Sequence, residues 1–466
     1  MAHIKFGTDG WRGIIAKDFT FENLTKVAIA TAKFYKRHKK AKNGLVIGYD
    51  TRFLSREFAE HVATVIANFG IKVLLSDGYC PTPAVSLAIP KFNCAGGVVI
   101  TASHNPYKYN GYKLKADFGG PEEIENIEKV EKEANKLPKS EIEKVKKSFE
   151  QLKDKGLIEL VDLKKIYIDD LKTKIDVEAI ERSGLKIAHD AMYGAGQKIL
   201  NEIIPSAVVI HNEFNPSFGG VSPEPIAKNL AELMRLVPEK GFDVGLATDG
   251  DADRIGAVDE KGNFVDPQRV FAILLKYFYE DKGLRGDVVK TVSVGLMVDK
   301  LANKYGLKVY ELPVGFKHVA TLMVTKDVMI GGEESGGIGV KTHIPERDGL
   351  FLGLTICEMM VKRGKKLSEI VDEIFEEIGP HYYKRIDLHT TEAHKQKILG
   401  RLKKGLKEIA GYKVNNVLTI DGFKFFFDNG WLLVRASGTE PLLRFYCEMD
   451  DPEKVDKVLD WIVNLK

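Results

Sequence analysis

Hydrophobic residues in the first third of the chain follow two different spacings. Residues 20–40 place apolar side chains three or four positions apart, which predicts an amphipathic helix. Residues 45–50 and 95–103 are short apolar runs that end in polar or turn residues, which predicts buried strands. Residues 55–70 predict another helix, with Ser55 as its N-cap and a glycine at its end. Alternating strands and helices favour a parallel or mixed sheet covered on both faces.

The same alternation occurs twice more. A second unit begins at residue 185 and closes with a predicted hairpin, AVDEKGNFVD, that turns at Lys-Gly. A third unit begins near Pro267, and the segment DGLFLGLTICEMMVKRG predicts its closing helix. Between the first two units, the lysine-rich residues 121–155 predict exposed helix with little core.

The last part of the chain has a different order of elements. Residues 391–411 predict one long helix, four short antiparallel strands follow, and residues 451–466 predict a capped terminal helix. The fold class expected is therefore α/β: three similar α/β domains with mixed sheets and a C-terminal α+β domain. The expected domains are residues 1–162, 163–260, 261–378 and 379–466.

Composition excludes several classes of protein. The 466 residues include 69 Lys+Arg and 66 Asp+Glu, a net charge of +3, which argues against a nucleic-acid partner bound by bulk electrostatics. The 4 cysteines form no CxxC pair, which excludes a disulfide scaffold or zinc ribbon and favours the cytoplasm. There is no signal-peptide pattern and no run near the roughly 18 apolar residues of a membrane span, so no membrane partner is expected. A local cationic pocket for a small anion remains compatible with this composition.

The first polar loop after a predicted strand is TASHNPYKYNGYK, residues 101–113. It carries Ser103 and His104 at the carboxyl end of a strand, where α/β proteins bind ligands. Serine is a weak nucleophile unless a base, a metal or a dipole activates it, so a simple polar turn is the alternative. Because neighbouring loop residues usually point apart, Ser103 and His104 do not predict a catalytic dyad.

The second loop, DGDADR, places Asp249, Asp251 and Asp253 at alternate positions. Three carboxylates at this spacing repel one another without a cation, and oxygen ligands suit Mg²⁺ or Ca²⁺. An EF-hand would have Glu260 at its twelfth position, but Arg254 stands where that loop needs glycine, and the flanks predict strands. A solvated acidic turn is the remaining alternative.

Two further loops carry hydrogen-bonding and cationic groups. GGEESGG, residues 331–337, offers Glu333 and Ser335 to vicinal hydroxyls, although a flexible turn fits equally well. RASGTEPLLR, residues 435–444, combines two arginines, two hydroxyls and a glycine, which is typical of an anion cradle; a hairpin with solvated arginines is the alternative. Arg12 lies between glycines in FGTDGWRG, and Arg52 follows a strand in GYDTR, where a salt bridge would explain it. Lys317 follows a predicted strand in LPVGFKH, where it could transfer a proton or bind phosphate.

In this order along the whole chain, FGTDGWRG, TASHNP, DGDADR, GEESGG and RASGTEP resemble the motifs of the α-D-phosphohexomutase superfamily. The resemblance implies four domains around a central cleft, the fourth similar to a TATA-binding-protein fold. It implies a phosphohexomutase that moves phosphate between O1 and O6 of a hexose through a phosphoserine enzyme. A glucose 1,6-bisphosphate intermediate, also the activator, and one Mg²⁺ per chain are implied with it.

The resemblance also implies residue roles. Ser103 would carry the phosphoryl group, and Mg²⁺ would be held beside it by Asp249, Asp251 and Asp253 together with Ser103. Glu333 and Ser335 would bind the sugar hydroxyls. The distal phosphate would be bound by Arg435, Ser437, Gly438, Thr439 and Arg444. The residues that would orient the phosphoserine or assist proton transfer are Arg12, His104, Lys113, Arg254 and Lys317.

Substrate preference is expected from three segments of the chain. Glucosamine-specific members usually read SASHNP and GEQSGH, and the mannose/glucose branch often reads GEMSGH, with histidine where this chain has Gly337. Phosphoglucomutases more often read GEES and glycine-aromatic-lysine, as Gly315-Phe316-Lys317 does here. Glucose 1-phosphate and glucose 6-phosphate are therefore the expected substrates, with phosphomannomutase or dual activity as the alternative. Further alternatives are a Mg²⁺-dependent sugar phosphatase and a silent sugar-phosphate-binding or Ca²⁺-binding protein; a monomer or homodimer is expected.

Overall fold

The computed structural model describes residues 3–7, 9–436 and 442–465. In these residues three mixed sheets are followed by an antiparallel sheet and a two-stranded ribbon. No helix within the described ranges is both long and apolar enough to cross a membrane. Three short 3₁₀ turns lie at Ala41–Asn43, Phe218–Gly220 and Ala227–Asn229.

The first sheet has seven strands in the order β1-β2-β6-β5-β3-β4-β7. Its strands are β1 (Phe6–Gly7), β2 (Gly10–Ile14), β3 (Leu45–Tyr49), β4 (Val73–Ser76), β5 (Gly96–Ile100), β6 (Tyr109–Lys115) and β7 (Ile158–Val161). Its helices are α1 (Phe21–Tyr35), α2 (Ser55–Asn68), α3 (Thr82–Lys91), α4 (Ile124–Lys136), α5 (Lys139–Ile142) and α6 (Phe149–Asp154).

The second sheet has five strands in the order β12-β11-β10-β8-β9. The elements of this unit are α7 (Leu163–Lys174), α8 (Val177–Ser183), β8 (Ile187–Asp190), α9 (Ile199–Ile203), β9 (Val208–Ile210), α10 (Ala231–Lys240), β10 (Val244–Thr248), β11 (Ile255–Asp259) and β12 (Phe264–Val265). The predicted hairpin is confirmed, since β11 and β12 pair antiparallel. A domain boundary after residue 260 would divide this hairpin, so the second sheet extends to Val265.

The third sheet has four strands in the order β14-β13-β15-β16. The elements here are α11 (Pro267–Glu280), β13 (Asp287–Thr291), α12 (Leu296–Lys304), β14 (Val309–Leu312), α13 (Phe316–Thr325), β15 (Val328–Gly332), β16 (Ile338–Val340), α14 (Gly349–Arg363) and α15 (Leu367–Ile378). The helix predicted over DGLFLGLTICEMMVKRG is confirmed as α14, but its place as the closing helix of the third unit is wrong. α14 packs on β10, β11 and α8 of the second unit, and α15 is the helix that ends the third.

The C-terminal unit is an α+β domain, as expected. It contains β17 (Tyr382–His389), α16 (Glu392–Lys403), β18 (Glu408–Ile409), β19 (Tyr412–Lys413), β20 (Asn416–Leu418), β21 (Phe423–Phe427), β22 (Gly430–Ala436), β23 (Leu442–Met449) and α17 (Pro452–Val463). Its main sheet is antiparallel in the order β17-β23-β22-β21-β20. The predicted long helix over 391–411 is wrong, because the chain leaves α16 before Gly405, whose φ is +83°, and β18 and β19 follow.

Two local predictions in the first unit also need correction. Ser55 is the first helical residue of α2 and not its cap; its hydroxyl donates to Asp50 Oδ1 at 2.8 Å. The lysine-rich segment does contribute to the core, because α4 packs on α1 and buries Ile127 and Val130. An amphipathic helix with few but well-spaced apolar residues can bury one face while its lysines stay in water.

One strand occupies the same position in each of the three mixed sheets. β5, β10 and β15 each have a parallel neighbour on one side and an antiparallel neighbour on the other. The loops carrying Ser103, Asp249 and Glu333 follow these three strands. The carboxyl end of a strand where the sheet changes direction is the usual place for a ligand in α/β proteins.

The packing holds these three loops in one block. A continuous apolar core extends from Val46 in the first sheet through Leu246 in the second to Ile330 in the third. The C-terminal domain has its own core around Leu432 and Phe445. It docks on the third unit through polar contacts as well: Glu448 Oε1 accepts the Leu296 N–H at 2.8 Å.

Candidate active site

Ser103 lies in the loop that follows β5, in a left-handed backbone conformation with φ +52°. Its hydroxyl donates to Asp249 Oδ2 at 2.8 Å, and His104 Nδ1 lies 3.5 Å from the same serine oxygen. Ser103 is fully buried. Gly250 allows the DGDADR loop to pack closely against Ser103, because a Cβ at residue 250 would lie 2.4 Å from the Ser103 carbonyl oxygen.

The three aspartates of the second loop converge as predicted. One carboxylate oxygen from each of Asp249, Asp251 and Asp253 lies within 4.8 Å of the others, and all three residues are buried. Burial and the charges of Asp253 and Asp251 raise the pKa of Asp249 well above its ordinary value. The flanking elements are the strands β10 and β11, and Glu260 accepts the Ser368 hydroxyl at 2.6 Å, so the loop is not an EF-hand.

The donor set fits a divalent cation. Asp251 Oδ1 and Asp253 Oδ1 are buried without a hydrogen-bond partner, although buried carboxylate oxygens are normally satisfied. Their other oxygens are taken: Asp251 Oδ2 accepts from Thr82 Oγ1 at 2.6 Å and from Lys113 Nζ at 2.8 Å. A cation bound by oxygen ligands would satisfy the two unpartnered atoms and relieve the repulsion among the three carboxylates.

Lys113 connects the metal loop to the N-terminal strand pair. Its buried ammonium lies 2.8 Å from Asp9 Oδ2 and 3.3 Å from Asp253 Oδ2. Burial alone would raise the pKa of Asp9, but the charges of Lys113 and Arg347 hold it well below its usual range. Arg12 donates to Asn105 Oδ1 at 2.6 Å and so braces the serine loop from the same side.

Arg347 joins all three mixed-sheet units, and sequence reasoning missed it. Its Nη2 lies 2.8 Å from Asp9 Oδ2 and 2.7 Å from Asp253 Oδ2, while Nη1 lies 3.7 Å from Glu333 Oε2. The side chain is buried, with its guanidinium 5.4 Å from the ring centre of Phe316. One cation therefore links the N-terminal strands, the metal loop and the GEESGG loop.

Gly337 is glycine for a steric reason. A Cβ at this position would lie 2.3 Å from Cδ of Arg347 and 2.9 Å from its Cγ. Any larger residue, including histidine, therefore requires Arg347 to move. In this chain the side chain of Arg347 fills the space beside Gly337 of the GEESGG loop.

The GEESGG loop presents Glu333 toward the same region. Glu333 Oε1 accepts the Gly315 N–H at 3.0 Å, and burial raises the pKa of the carboxyl. Ser335 is half-buried in the same loop. Lys317, two residues after Gly315, is also half-buried, and burial lowers its pKa. The structure thus brings the glycine-aromatic-lysine segment beside the sugar-binding candidates.

Arg435 and Arg444 face each other on the antiparallel strands β22 and β23. Arg435 Nε donates to Asp421 Oδ2 at 2.9 Å, and Arg444 Nε lies 3.7 Å from Asp387 Oδ2. Like charges directly opposite one another destabilise an antiparallel pair of strands, and Asp421 and Asp387 offset this repulsion here. Ser437, Gly438 and Thr439, predicted in the same cradle, lie outside the described residues.

The remaining predicted residues also lie at the junction of the first two units. The Arg254 backbone N–H donates to Asp249 Oδ1 at 3.2 Å, and its Nε lies 3.8 Å from Asp253 Oδ1. Burial and the nearby cations Arg254 and Arg12 lower the pKa of His104 far below its ordinary value, so its imidazole is neutral at pH 7.

Three residues escaped prediction in whole or in part. Arg347 and Asp9 meet across a sequence separation of 338 residues, which no local pattern signals. Asp9 stands inside the quoted FGTDGWRG motif, so the motif itself was the available signal. The salt bridge expected of Arg52 does form, with Nε 3.1 Å from Asp50 Oδ2, but Arg52 also binds the serine loop.

Four family models match the chain in order. They are described as phosphoglucomutase/phosphomannomutase alpha/beta/alpha domain I (residues 3–141), domain II (165–262), domain III (266–378) and the C-terminal domain (395–465). Together they cover most of the sequence, and each model contains one of the four loops described above.

Named relatives match over nearly their full length. A phosphoglucomutase/phosphomannomutase of Thermococcus kodakarensis is 34% identical, covering 99% of this chain and 98% of its own. A phosphoglucosamine mutase of Carboxydothermus hydrogenoformans is 33% identical, covering 98% of each chain. Relatives with different substrate names are thus equally similar, and identity alone does not assign the sugar.

A solved structure agrees with this assignment. A Thermus thermophilus protein assigned as a phosphomannomutase is 35% identical and superposes with a TM-score of 0.86 over 100% of this chain and 99% of its own. The expectations of a phosphohexomutase fold and of an enzyme are confirmed. The chain belongs to the phosphoglucomutase/phosphomannomutase family of the α-D-phosphohexomutase superfamily.

Proposed function

We propose that this phosphohexomutase interconverts glucose 1-phosphate and glucose 6-phosphate through a phosphorylated Ser103. The observation that supports this most strongly is the hydrogen bond from Ser103 Oγ to Asp249, beside two unpartnered carboxylate oxygens. A nucleophile next to a cation site is what phosphoryl transfer requires, because charge accumulates on the transferring group.

The reaction runs as two phosphoryl transfers. The resting enzyme carries a phosphoryl group on Ser103, and the free hydroxyl of a bound hexose monophosphate attacks the phosphorus. The serine O–P bond breaks as the sugar O–P bond forms, which yields glucose 1,6-bisphosphate. After the sugar reorients, Ser103 attacks the opposite phosphate and releases the isomeric monophosphate.

The surrounding residues supply charge and position. Asp249, Asp251 and Asp253 would hold Mg²⁺, which would neutralise negative charge on the transferring group. Lys113 and Arg254 provide fixed cations beside the same carboxylates. In each transfer His104 Nδ1, 3.5 Å from the serine oxygen, is placed to take the proton of the attacking hydroxyl and pass it to the leaving oxygen.

Substrate binding is divided between two loops. Glu333 and Ser335 bind the sugar hydroxyls, and Arg435, Ser437, Gly438, Thr439 and Arg444 bind the phosphate that is not being transferred. The fixed positions of Arg435 and Arg444 on paired strands support this assignment. A phosphate site of hydroxyls and forked guanidinium groups accepts either end of the bisphosphate, as a reorienting intermediate requires.

The preference for glucose rests on the GEES sequence and on Gly315-Phe316-Lys317. The packing of Arg347 against Gly337 supports it, since a histidine cannot occupy that space without displacing the arginine. The test compares kcat/KM for glucose, mannose and glucosamine 1-phosphates, each primed with its own 1,6-bisphosphate. We expect the highest value for glucose; a higher value for mannose or glucosamine would reassign the substrate.

Arg435→Ala should weaken substrate binding more than it slows chemistry. A charge-assisted hydrogen bond contributes about 1.5–3 kcal/mol, so we expect KM to rise roughly 10- to 100-fold. Steady-state kinetics with glucose 1-phosphate measure this, and Arg182→Ala serves as the control, because Arg182 lies on α8 with its side chain 70% exposed. Unchanged KM and kcat would remove Arg435 from the site.

Gly337→Ala should displace Arg347 and disturb the loops it joins. Because small misplacements of catalytic groups are costly, we expect kcat/KM to fall about 10- to 100-fold. Gly400→Ala is the matched control, since a Cβ there meets nothing within 4 Å and alanine favours the helix. Wild-type kinetics in Gly337→Ala would show that the position of Arg347 is unimportant for turnover.

A further inference from the structure

Arg52 is buried directly behind the serine loop. Its Nη2 donates to the carbonyl oxygens of Ser103 and Asn105, each at 2.6 Å. Its Nη1 donates to those of Pro106 and Tyr109 at 3.0 and 2.9 Å. The guanidinium therefore binds four carbonyl groups between Ser103 and Tyr109, and its side chain has no exposed surface.

A polar network of Asp50 and Thr101 holds this arginine in place. Asp50 Oδ2 lies 3.1 Å from Arg52 Nε and accepts the Thr101 hydroxyl at 2.6 Å. Thr101 Oγ1 in turn accepts the Ser103 N–H at 2.8 Å. The backbone of Ser103 is thus held by two hydrogen bonds, one from its N–H to Thr101 and one from Arg52 to its carbonyl oxygen.

This grip has a specific conformational consequence. A serine in the left-handed region is uncommon and persists only where its surroundings enforce it. With φ at +52°, Ser103 turns its hydroxyl toward Asp249. Release of the Ser103 carbonyl group would allow the backbone to relax to an ordinary conformation and move the hydroxyl away from the aspartate.

We infer that Arg52 is a positioning residue for phosphoryl transfer, which fixes Ser103 in the conformation that faces the metal loop. This inference rests on the proposed function only in needing Ser103 as the phosphoryl carrier, whichever hexose is used. Arg52 has no hydrogen bond or ion pair to the three aspartates among its described contacts. Its charge acts on Asp251 and Asp249 at longer range, and its direct contact with the reacting group is through the Ser103 carbonyl oxygen.

Arg52→Lys tests this directly. A lysine ammonium keeps the positive charge beside Asp50, but its three donors on one atom cannot reproduce a planar fork that reaches four carbonyl groups. Arg56→Lys is the matched control, because Arg56 lies in the first turn of the next helix, α2, with its side chain 66% exposed. Both variants are measured for kcat, KM, thermal midpoint and the rate at which glucose 1,6-bisphosphate phosphorylates Ser103, followed by intact mass.

For Arg52→Lys we expect kcat and the phosphorylation rate to fall by about 100-fold with KM unchanged, because displacement of a reacting group by ~1 Å has an effect of that size. A purely structural role would lower the thermal midpoint and leave kcat per folded molecule unchanged, which would overturn the inference. If Arg52→Lys fails to fold, Thr101→Val decides, since it removes the bond to the Ser103 N–H while keeping the side-chain shape. The same kcat-specific loss in Thr101→Val supports the inference, and wild-type kcat contradicts it.

The wild-type protein separates this inference from the proposed function. If wild type neither becomes phosphorylated nor converts any of the three hexose phosphates, the proposed function fails. If wild type is active and Arg52→Lys and Thr101→Val match its kcat, only the inferred role of Arg52 fails.

Discussion

Ser103→Ala should abolish mutase turnover and leave the fold intact. The serine hydroxyl donates to Asp249, whereas Arg52 holds the backbone carbonyl group, so the substitution removes the nucleophile without breaking the grip of Arg52 on the loop. Loss of a covalent nucleophile lowers kcat by about 10⁴-fold or more in enzymes that depend on it. The measurement is glucose 6-phosphate formation from glucose 1-phosphate, primed with the bisphosphate.

Ser140→Ala provides the control for Ser103→Ala, because Ser140 is an exposed serine on α5. Circular dichroism and the thermal midpoint establish that both variants fold. Near-normal turnover by a folded Ser103→Ala protein would exclude the phosphoserine pathway, whatever the identity of the sugar.

Removal of the cation, or of one carboxylate that binds it, should also cause a large loss of turnover. Chelation with EDTA should abolish turnover, and added Mg²⁺ should restore it. Asp251→Asn removes one charge from a ligand with a free oxygen, and we expect kcat to fall about 10³-fold, because metal stabilisation of phosphoryl transfer amounts to several kcal/mol.

A binding readout makes the metal prediction independent of activity. Mn²⁺ titration followed by electron paramagnetic resonance should show one tight site in wild type and a much weaker one in Asp251→Asn. Asp169→Asn, whose side chain is 57% exposed, is the control and should bind Mn²⁺ like wild type. Full activity in EDTA, or equal Mn²⁺ binding by Asp251→Asn, would contradict the assignment of the aspartate cluster.

The parts of this site that sequence predicts are those encoded locally. Ser103, Asp249 and Glu333 each follow an apolar run, and the carboxyl ends of such strands were expected to meet a ligand. Hydrophobic periodicity also predicted three α/β units, with the sheet either parallel or mixed, and the α+β C-terminal domain. These features depend on residues a few positions apart, which is the range that sequence patterns encode.

The parts that sequence did not predict depend on distant contacts. Arg347 acts through Asp9, Asp253 and Glu333, which come from three different units of the fold. Arg52 looked like half of an ordinary salt bridge, since nothing in GYDTR indicates four carbonyl partners in another loop. The helix α14 packs on the second sheet although it follows the third in sequence, because the shared core spans both units.

The chemistry itself can be observed in a single reaction. Wild-type protein is mixed with Mg²⁺, glucose 1-phosphate and a trace of glucose 1,6-bisphosphate, while protein mass, sugar phosphates and inorganic phosphate are recorded together. The proposed mechanism predicts one phosphoryl group on the peptide that contains Ser103 and glucose 6-phosphate formed without net release of phosphate. Release of inorganic phosphate faster than isomer formation, or turnover with no phosphorylated Ser103, would contradict it.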